Sequence, residues 1–171
     1  LADAKKVNFR IAQAPVNIDA YKAWKLKFSV LPWPDVPQAL QTGVINGLDH
    51  TPIVCNISRK FTVAKYYTEL NYAQGLYIHI MNEQWLKKLP ENLQQTFLKV
   101  IKEESAAARK LTQKQQIEQI ATAKADGVTF VTLNENDRKT MVSASESLYM
   151  NWGEKIGKAY LDKVRAAFPQ N

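Results

Sequence analysis

The chain has 171 residues, of which 46% are apolar and 23% charged, and it carries a net charge of +7. This composition is typical of a folded globular protein and excludes an intrinsically disordered one. Basic and acidic residues are mixed along the chain without a basic block, so we expect a solvated surface and no nucleic-acid partner. No apolar run approaches the roughly 18 residues of a membrane span, so we do not expect a membrane-embedded protein.

The single cysteine limits the covalent chemistry of the chain. Cys55 excludes an internal disulfide bond and every site that needs several cysteines. Its neighbours Ile53, Val54 and Ile57 are apolar, and this environment predicts a buried structural thiol.

The amino-terminal residues predict a strand, a helix and a second extended piece. Val7 to Ala12 alternates apolar and polar residues, which is typical of a short strand, and Arg10 is then expected to point away from the core. Asp19 to Lys27 carries aromatic residues at helical spacing and predicts a helix. Ser29 to Leu31 follows as a short extended piece, before a proline-rich stretch that does not suit a sheet interior.

A short capped helix and a turn come next. Asp35 occupies an N-cap position, and Gly43 is placed as a left-handed C-cap residue, so the helix is expected to end at about Thr42. Asn46 and Gly47 then predict a turn. Polar side chains leave this turn on a loop held by a rigid element, which is where ligands tend to be bound.

The middle of the chain predicts short helices, one long strand and one long helix. Ile53 to Thr68 has apolar residues at spacings of three and four, which favours one helix or two short ones. Leu70 to Met81 is rich in Tyr, Ile and Leu and is the clearest strand pattern, long enough to cross between two lobes. Pro90 to Asp126 predicts a long helix with one apolar side, ended by Gly127.

The carboxy-terminal part predicts a strand and a last helix. Val128 to Leu133 is a strong strand pattern, and Asn134 with Asp137 three residues later resembles a capping box. Apolar residues recur at three or four positions through most of Glu135 to Phe168, which predicts one continuous helix. Helix therefore exceeds strand, and no repeat or flexible linker divides the chain into independent domains.

The sequence lacks the familiar local signatures of enzymes. It has no G-x-S-x-G elbow, Walker A loop, G-x-G-x-x-G or H-E-x-x-H motif. His50 and His79 are separated by a predicted helix and strand, so they form no local metal pair. A dyad of His50 with Cys55 has no supporting third group in the sequence. We therefore expect no catalytic function, no cofactor and no metal.

Three residues are candidates for binding, each with an alternative. Arg10 can offer a planar fork with two charge-assisted hydrogen bonds to a carboxylate, although the residues alone favour an exposed surface arginine. Trp33 lies between two prolines, which suits either a pocket wall or a structural plug. Asp49 can bind a cation or cap the turn, and no second carboxylate nearby in sequence supports the cation site.

The segment from Trp33 to Gly47, WPDVPQALQTGVING, resembles the motif of TRAP-type solute-binding proteins. These are the periplasmic receptors of tripartite ATP-independent transporters, and their pattern runs aromatic, x, acidic, V, x, x, A-L-Q-T-G-V-[VI]-[DN]-G. The resemblance extends from Lys5 to about Val164. The family's N-x-x-W step and its L-P pair before a long helix are matched by Asn82, Trp85, Leu89 and Pro90.

This resemblance implies a fold and a function. The fold is an α/β, helix-dominated lobe of the class II periplasmic-binding-protein type, with a mixed sheet flanked by helices and long carboxy-terminal helices. Residues 1–171 would be the carboxy-terminal part of a two-lobed receptor, and about 120 residues, most of the first lobe, would precede them. Such a receptor binds a small organic acid in the periplasm, after removal of a signal peptide from its precursor, and delivers it to membrane permease subunits.

The resemblance also implies roles for three residues, and the sequence alone adds a fourth candidate. Arg10 falls where the family has an arginine that pairs with the substrate carboxylate, and Trp33 falls where an aromatic ring packs over the substrate. His50 replaces the family's usual asparagine and can keep its donor role, with an affinity for anions that depends on pH. Asp49 is the fourth candidate. Asn46 replaces the usual aspartate of the motif, and we expect it to be structural.

Two other functions stay open at this point. A helical protein-protein interaction module without a small-molecule site would use the two long amphipathic stretches, and it would not respond to replacement of Arg10. An enzyme would turn over a substrate in a reaction that depends on His50. If the receptor hypothesis is right, the isolated chain should bind its ligand weakly, because much of the opposing lobe is absent from it.

Overall fold

A computed structural model describes residues 1–73 and 75–167. Within these residues the chain forms five β-strands and seven α-helices. The strands are β1 (Asn8–Ile11), β2 (Lys27–Val30), β3 (Gly47–Leu48), β4 (Tyr66–Glu69) and β5 (Thr129–Thr132). The helices are α1 (Pro15–Ala23), α2 (Val36–Gln41), α3 (Pro52–Ile57), α4 (Glu83–Lys87), α5 (Glu91–Ala125), α6 (Glu135–Ile156) and α7 (Lys158–Ala167). Short 3-10 turns occupy Ala4–Lys6, Trp33–Asp35 and Lys60–Thr62.

The strands form two small sheets. A three-stranded sheet has the order β2-β1-β3, and a two-stranded sheet pairs β4 with β5. Every pairing in the described residues is parallel, which requires crossover connections such as α1 between β1 and β2. The predicted helix-dominated α/β class is confirmed. None of the described helices combines the length and the apolar character required to cross a bilayer.

The main core lies where α1 meets the three-stranded sheet and α6. Ile11, Tyr21 and Trp24 are buried there together with Met141 of α6. The indole Nε1 of Trp24 donates to the backbone oxygen of Met141 at 3.2 Å and to Oγ of Ser145 at 2.9 Å. Burying an aromatic side chain with its polar atom satisfied stabilises the fold by roughly 2 kcal/mol. This contact therefore holds α6 against the end of α1.

Two smaller apolar clusters support the neighbouring elements. One surrounds Cys55 and Phe61 and includes Ala123 near the end of α5 and Val128 before β5. The other contains Val36, Ala39 and Ile45, which fix α2 beside the sheet. The prediction of a buried thiol at Cys55 is confirmed. Its burial raises the pKa of the thiol to about 12, so the group is neutral at physiological pH.

The first predicted helix differs from the structure at both ends. The helix was expected over Asp19 to Lys27, but α1 is Pro15–Ala23, because a proline is well tolerated in the first helical turn. Lys25 adopts a left-handed φ of 57°, and the backbone N–H of Leu26 donates to the oxygen of Tyr21 at 3.0 Å. These bonds end the helix early, so that Lys27 begins β2.

The predicted helix after the prolines is confirmed, but its flanking residues act differently. Gly43 has the expected left-handed φ of 74° after α2. Asp35 makes no side-chain capping bond, because a 3-10 turn leads directly into the helix. The predicted turn at Asn46 and Gly47 is wrong, since Gly47 begins β3. A Cβ at Gly47 would lie 2.9 Å from the side chain of Phe9, so glycine is needed there for close strand packing.

The middle of the chain contains the largest error of the sequence analysis. Only α3 and a 3-10 turn are helical within the stretch Ile53 to Thr68, which ends in β4. The described residues of Leu70 to Met81 form no strand, because no neighbouring strand in the described part of the chain pairs with them. Their apolar side chains are largely exposed, and Tyr77 is 97% exposed.

The carboxy-terminal predictions are confirmed except at one break. The long helix is present as α5, with Gly127 at a left-handed φ of 82°, although Ala123 is its only buried residue. The strand is present as β5, and Asn134 accepts from the backbone N–H of Asp137 at 2.9 Å. The last helix is interrupted at Gly157, where a φ of 98° separates α6 from α7. Phe168, its predicted end, lies outside the described residues.

Candidate functional site

Arg10 lies on the central strand of the three-stranded sheet. It pairs in register with Ser29 of β2 and Leu48 of β3. Its side chain is only 6% exposed, and its Nε donates to the backbone oxygen of Leu31 at 2.8 Å. The two flanking strands and this hydrogen bond therefore fix the guanidinium in one direction. As expected, Arg10 points away from the main core, to which Phe9 and Ile11 of the same strand contribute, but the reading of it as an exposed surface arginine must be corrected, because the residue is buried.

The charge of Arg10 has no ionic partner in the described part of the chain. Burial lowers the pKa of the guanidinium, and the carboxylate of Asp49 opposes that shift. An arginine stays protonated despite such a shift. No other side-chain hydrogen bond of Arg10 occurs in residues 1–73 and 75–167, so the terminal nitrogens are free to form two parallel bonds with an anion.

Trp33 is the common neighbour of the predicted site residues. The 3-10 turn Trp33–Asp35 places its indole beside Arg10, whose Cζ lies 5.2 Å from the ring centroid. The ring centroid of His50 lies 4.9 Å from that of Trp33, and the two ring planes are tilted by 55°. The structure therefore brings Arg10, Trp33 and His50 together, as their common role in a binding site requires.

His50 presents one defined donor. The backbone N–H of Thr51 donates to Nδ1 of His50 at 2.9 Å, which assigns the proton of the neutral ring to Nε2. Partial burial lowers the pKa of His50, the carboxylate of Asp49 opposes this shift, and the charge of Arg10 adds to it. The exposed ring is therefore neutral at physiological pH, and its Nε2 can donate to a ligand oxygen.

Asp49 is held by internal partners. Its backbone N–H donates to the oxygen of Arg10 at 3.1 Å, and its Oδ2 accepts a hydrogen bond from the hydroxyl of Tyr72. Burial, followed by the charge of Asp49, raises the pKa values of Tyr21 and Tyr72. Asp49 therefore places a negative charge beside the guanidinium while one of its oxygens is occupied. The sequence analysis missed Tyr72, because it assigned this residue to a strand.

Lys60 is a second residue that the sequence analysis missed. Its Nζ lies 4.6 Å from the centroid of the Trp33 ring, and the residue is only 5% exposed. Arg59, with a left-handed φ of 57°, turns the chain directly before it, and the buried side chain of Phe61 anchors the following residue. The sequence offered no signal for this burial, because a lysine between two helical apolar positions is typical of a solvated surface.

Two clefts lie apart from these residues. One has a volume of about 370 Å³ and is lined by Asn56, Arg59, Phe61, Thr62, Lys65 and Asp126. The other, of about 210 Å³, borders α2 and is more open. Neither is lined by the predicted binding residues, which form one wall rather than an enclosed cavity. Within residues 1–73 and 75–167, no three His, Cys, Asp or Glu side chains are placed to hold a metal ion.

Comparison with known proteins identifies a family and a group of relatives. The family model described as bacterial extracellular solute-binding protein, family 7 (DctP), matches residues 1–155. A solute-binding protein of Verminephrobacter eiseniae is 27% identical over 166 residues, which are 96% of this chain and 49% of that protein. The C4-dicarboxylate-binding periplasmic protein DctP of Rhodobacter capsulatus is 26% identical over 139 residues, 81% of this chain and 42% of that protein.

Solved structures show the same fold. A TRAP periplasmic solute-binding protein of Pseudomonas putida, with bound D-glucuronate, has a TM-score of 0.82 and 25% identity, and the match covers 99% of this chain and 54% of that one. A TRAP protein of Shewanella oneidensis, with bound succinate, has a TM-score of 0.85 and 22% identity, covering 96% and 54%. The chain thus spans about half the length of the relatives it matches.

Proposed function

Because the chain belongs to family 7 of the bacterial extracellular solute-binding proteins, we propose that it is part of a TRAP-type receptor for a small organic acid. Residues 1–171 form the carboxy-terminal part of a two-lobed, periplasmic protein. The ligand binds between this wall and the opposing lobe, and the closed receptor delivers it to the membrane permease. Hinge closure of this kind excludes water and strengthens each polar contact with the ligand.

One observation carries the proposal, which is the state of Arg10. The residue is only 6% exposed and is fixed through Nε by the oxygen of Leu31, it has no ion pair in the described residues, and its unbonded terminal nitrogens keep contact with solvent at the surface of the site. A buried charge without a partner is costly. A ligand carboxylate removes this cost, because it matches the geometry of the terminal nitrogens and accepts two charge-assisted hydrogen bonds.

The neighbouring side chains supply the rest of the wall. Trp33 covers the apolar part of the ligand, since its indole lies beside both the guanidinium and the imidazole. His50 donates through Nε2 to a carboxylate or hydroxyl oxygen. Asp49 completes the group as the negative charge beside Arg10, with its orientation set by Tyr72.

The relatives support the chemical class of the ligand. The Rhodobacter capsulatus relative is named for C4-dicarboxylates, and the solved relatives hold succinate and D-glucuronate. These compounds differ in size and hydroxyl content but share a carboxylate. That shared group is the one that Arg10 can recognise.

Calorimetric titration of the full-length receptor tests the proposal. The ligands are succinate and D-glucuronate, with succinamide and D-glucose as uncharged controls. We expect a carboxylate to bind, its uncharged control not to bind, and Arg10→Ala to weaken binding about 100-fold or more, because a buried charge pair loses one partner. Arg10→Lys should restore part of the affinity, since it keeps the charge but loses the fork.

A matched control separates this effect from a general loss of charge. Arg109 lies on an exposed face of α5, so Arg109→Ala should leave the affinity unchanged. If Arg10→Ala binds the carboxylate as tightly as the unchanged receptor, the receptor hypothesis loses its physical basis. A helical interaction module without a small-molecule site would bind no carboxylate with or without the replacement, so Arg10→Ala would change nothing.

The isolated 171-residue chain offers a second test. It supplies one wall of the proposed site, so its affinity for the same carboxylate should be far below that of the full-length receptor. Micromolar binding by the monomeric chain would show that the opposing lobe contributes little. Turnover of the bound acid in a reaction that depends on His50 would instead indicate an enzyme.

The donor role of His50 leads to a separate prediction. His50→Asn keeps a side-chain N–H donor, whereas His50→Ala removes it. We expect the affinity to fall about tenfold in His50→Ala and by less in His50→Asn at neutral pH, because one neutral hydrogen bond is lost in the first variant only. Equal losses in both variants would show that the ring acts by packing on Trp33 and not by donating.

A further inference from the structure

We infer that Lys60 is a second cationic contact of this site and gives it a preference for ligands with two carboxylates. The inference rests on the proposed function and assigns a specificity role to a residue outside the binding motif. Its physical basis is the juxtaposition of Lys60 and Arg10 around the single indole of Trp33.

The burial of Lys60 is unusual for its residue type. Lysine is almost never fully buried unless it is paired, yet Lys60 is 5% exposed. No carboxylate in the described residues lies within ion-pair distance of its ammonium. No hydrogen bond of Nζ occurs among these residues either, and none of their fully buried side-chain nitrogens lacks a partner. The ammonium therefore keeps contact with solvent at the surface of the site.

The indole offsets only part of the cost of this burial. A cation within about 6 Å of a tryptophan ring is attracted to it, and Nζ of Lys60 is 4.6 Å from the ring centroid. Cζ of Arg10 lies 5.2 Å from the same centroid, so the two cations are within about 10 Å of each other and repel. The ring thus has two like charges beside it, and neither forms an ion pair within residues 1–73 and 75–167.

Asp49, the acid beside Arg10, forms no ion pair with Lys60. The Oδ2 of Asp49 accepts a hydrogen bond from the hydroxyl of Tyr72. The backbone N–H of Asp49 donates to the backbone oxygen of Arg10. His50 is neutral and adds no negative charge. A ligand with one carboxylate would engage Arg10 and leave the ammonium of Lys60 unmatched. A ligand with a second carboxylate can place it near that ammonium, across the face of Trp33.

The test compares diacids with their single-charge analogues in the full-length receptor. The probes are succinate against succinamate, in which one carboxylate is an amide, and D-glucarate against D-gluconate for a longer ligand. The variants are Lys60→Met, which keeps the apolar stem and removes the charge, and Lys60→Arg, which keeps the charge. Lys110→Met, on an exposed face of α5, is the matched control, and Lys60→Gln replaces Lys60→Met if that variant does not fold.

We expect the unchanged receptor and Lys60→Arg to bind the diacid about tenfold more tightly than its analogue. Lys60→Met should bind the diacid about tenfold more weakly and the analogue unchanged, because only the second carboxylate loses its partner. Equal weakening of both ligands would overturn the inference, since Lys60 would then only support the indole. An unchanged diacid preference would overturn it too. Loss of all carboxylate binding in the unchanged receptor would instead refute the proposed function.

Discussion

The sheet region (residues 7–69) and the exposed segment (residues 70–122) differ in whether their apolar side chains are buried. In the sheet region, buried residues from β1, α1, α2 and α3 form the apolar clusters described above. In the described part of the exposed segment no residue is buried. The difference teaches that helix α5 is specified locally, by its residues and its ends, whereas the site depends on tertiary packing.

The part of α5 that lies in the exposed segment has few packing partners within this chain. Along α5, ion pairs four residues apart join Lys99 to Glu103 and Lys114 to Glu118. Each such pair contributes only about 0.3 to 0.5 kcal/mol. The four predicted site residues, Arg10, Trp33, Asp49 and His50, and the added Lys60 all belong, in contrast, to the sheet region. The proposed binding site thus lies in the sheet region, where side chains are packed into apolar clusters.

The largest expected effect is the cost of a cavity in the sheet region. Ile11 is fully buried, and Ile11→Ala should lower the free energy of unfolding by about 2 to 5 kcal/mol. Ile117 of α5 is 73% exposed, and Ile117→Ala should change it by less than about 0.5 kcal/mol. Urea denaturation of both variants measures the difference. Similar losses in the two variants would show that α5 is buried in solution and would remove the contrast between the regions.

A smaller effect depends on pH and reports the burial of Cys55. Its pKa is raised from 9.0 to about 12 in the folded state, so the unfolded chain loses this proton first as the pH rises. Stability should therefore be lost above about pH 9, and by about 2 kcal/mol at about pH 10.5 from this group alone.

Cys55→Ala removes this contribution and provides the comparison. Denaturation between about pH 8 and pH 10.5 should show the unchanged chain losing about 2 kcal/mol more than the variant. The parallel measurement is thiol labelling of the native chain, which should be slow. Identical pH profiles, or fast labelling, would mean that the cluster around Cys55 opens readily.

The smallest effect concerns the one tyrosine that links the two regions. Tyr72 donates to Asp49 and packs edge-on against Trp24, with ring centroids 5.1 Å apart. Tyr72→Phe keeps the ring and removes the hydroxyl, so the free energy of unfolding should fall by about 1 kcal/mol. Tyr77→Phe, at a 97% exposed position, should change nothing. An unchanged free energy of unfolding in Tyr72→Phe would show that the hydrogen bond from Tyr72 to Asp49 does not attach the exposed segment to the site.

Features set by a few adjacent residues could be predicted from the sequence. Gly43 and Gly127 end their helices at positive φ, and Asn134 caps α6 through the backbone of Asp137. These conformations depend on local sterics and hydrogen bonds, which the residue types determine directly. The long helix and strand β5 were predicted for the same reason.

Features set by distant contacts could not be predicted. Lys25 adopts a left-handed conformation that lysine does not favour, because the main core fixes the residues on either side of it. Gly47 looked like a turn residue, but the side chain of Phe9 requires its small size. Leu70 to Met81 has the composition of a strand, yet composition does not supply a pairing partner.

The candidate site also combines residues that the sequence predicted with residues that only tertiary contacts bring in. The motif and its spacing selected Arg10, Trp33 and His50, and the structure brings their side chains together. The contacts of Lys60 with Trp33 and of Tyr72 with Asp49 arise only when the residues after β3 fold back beside the three-stranded sheet. No local sequence pattern predicts that a lysine will be buried by tertiary contacts.

A crystal structure of the full-length receptor with its organic acid tests the central claim most directly. The distances to be measured are those from the terminal nitrogens of Arg10 to the nearest ligand carboxylate. We predict two nitrogen-oxygen distances of about 2.7 to 2.9 Å, with the ligand lying against the indole of Trp33. A carboxylate bound elsewhere, with Arg10 turned onto Asp49 as an internal ion pair, would contradict the account.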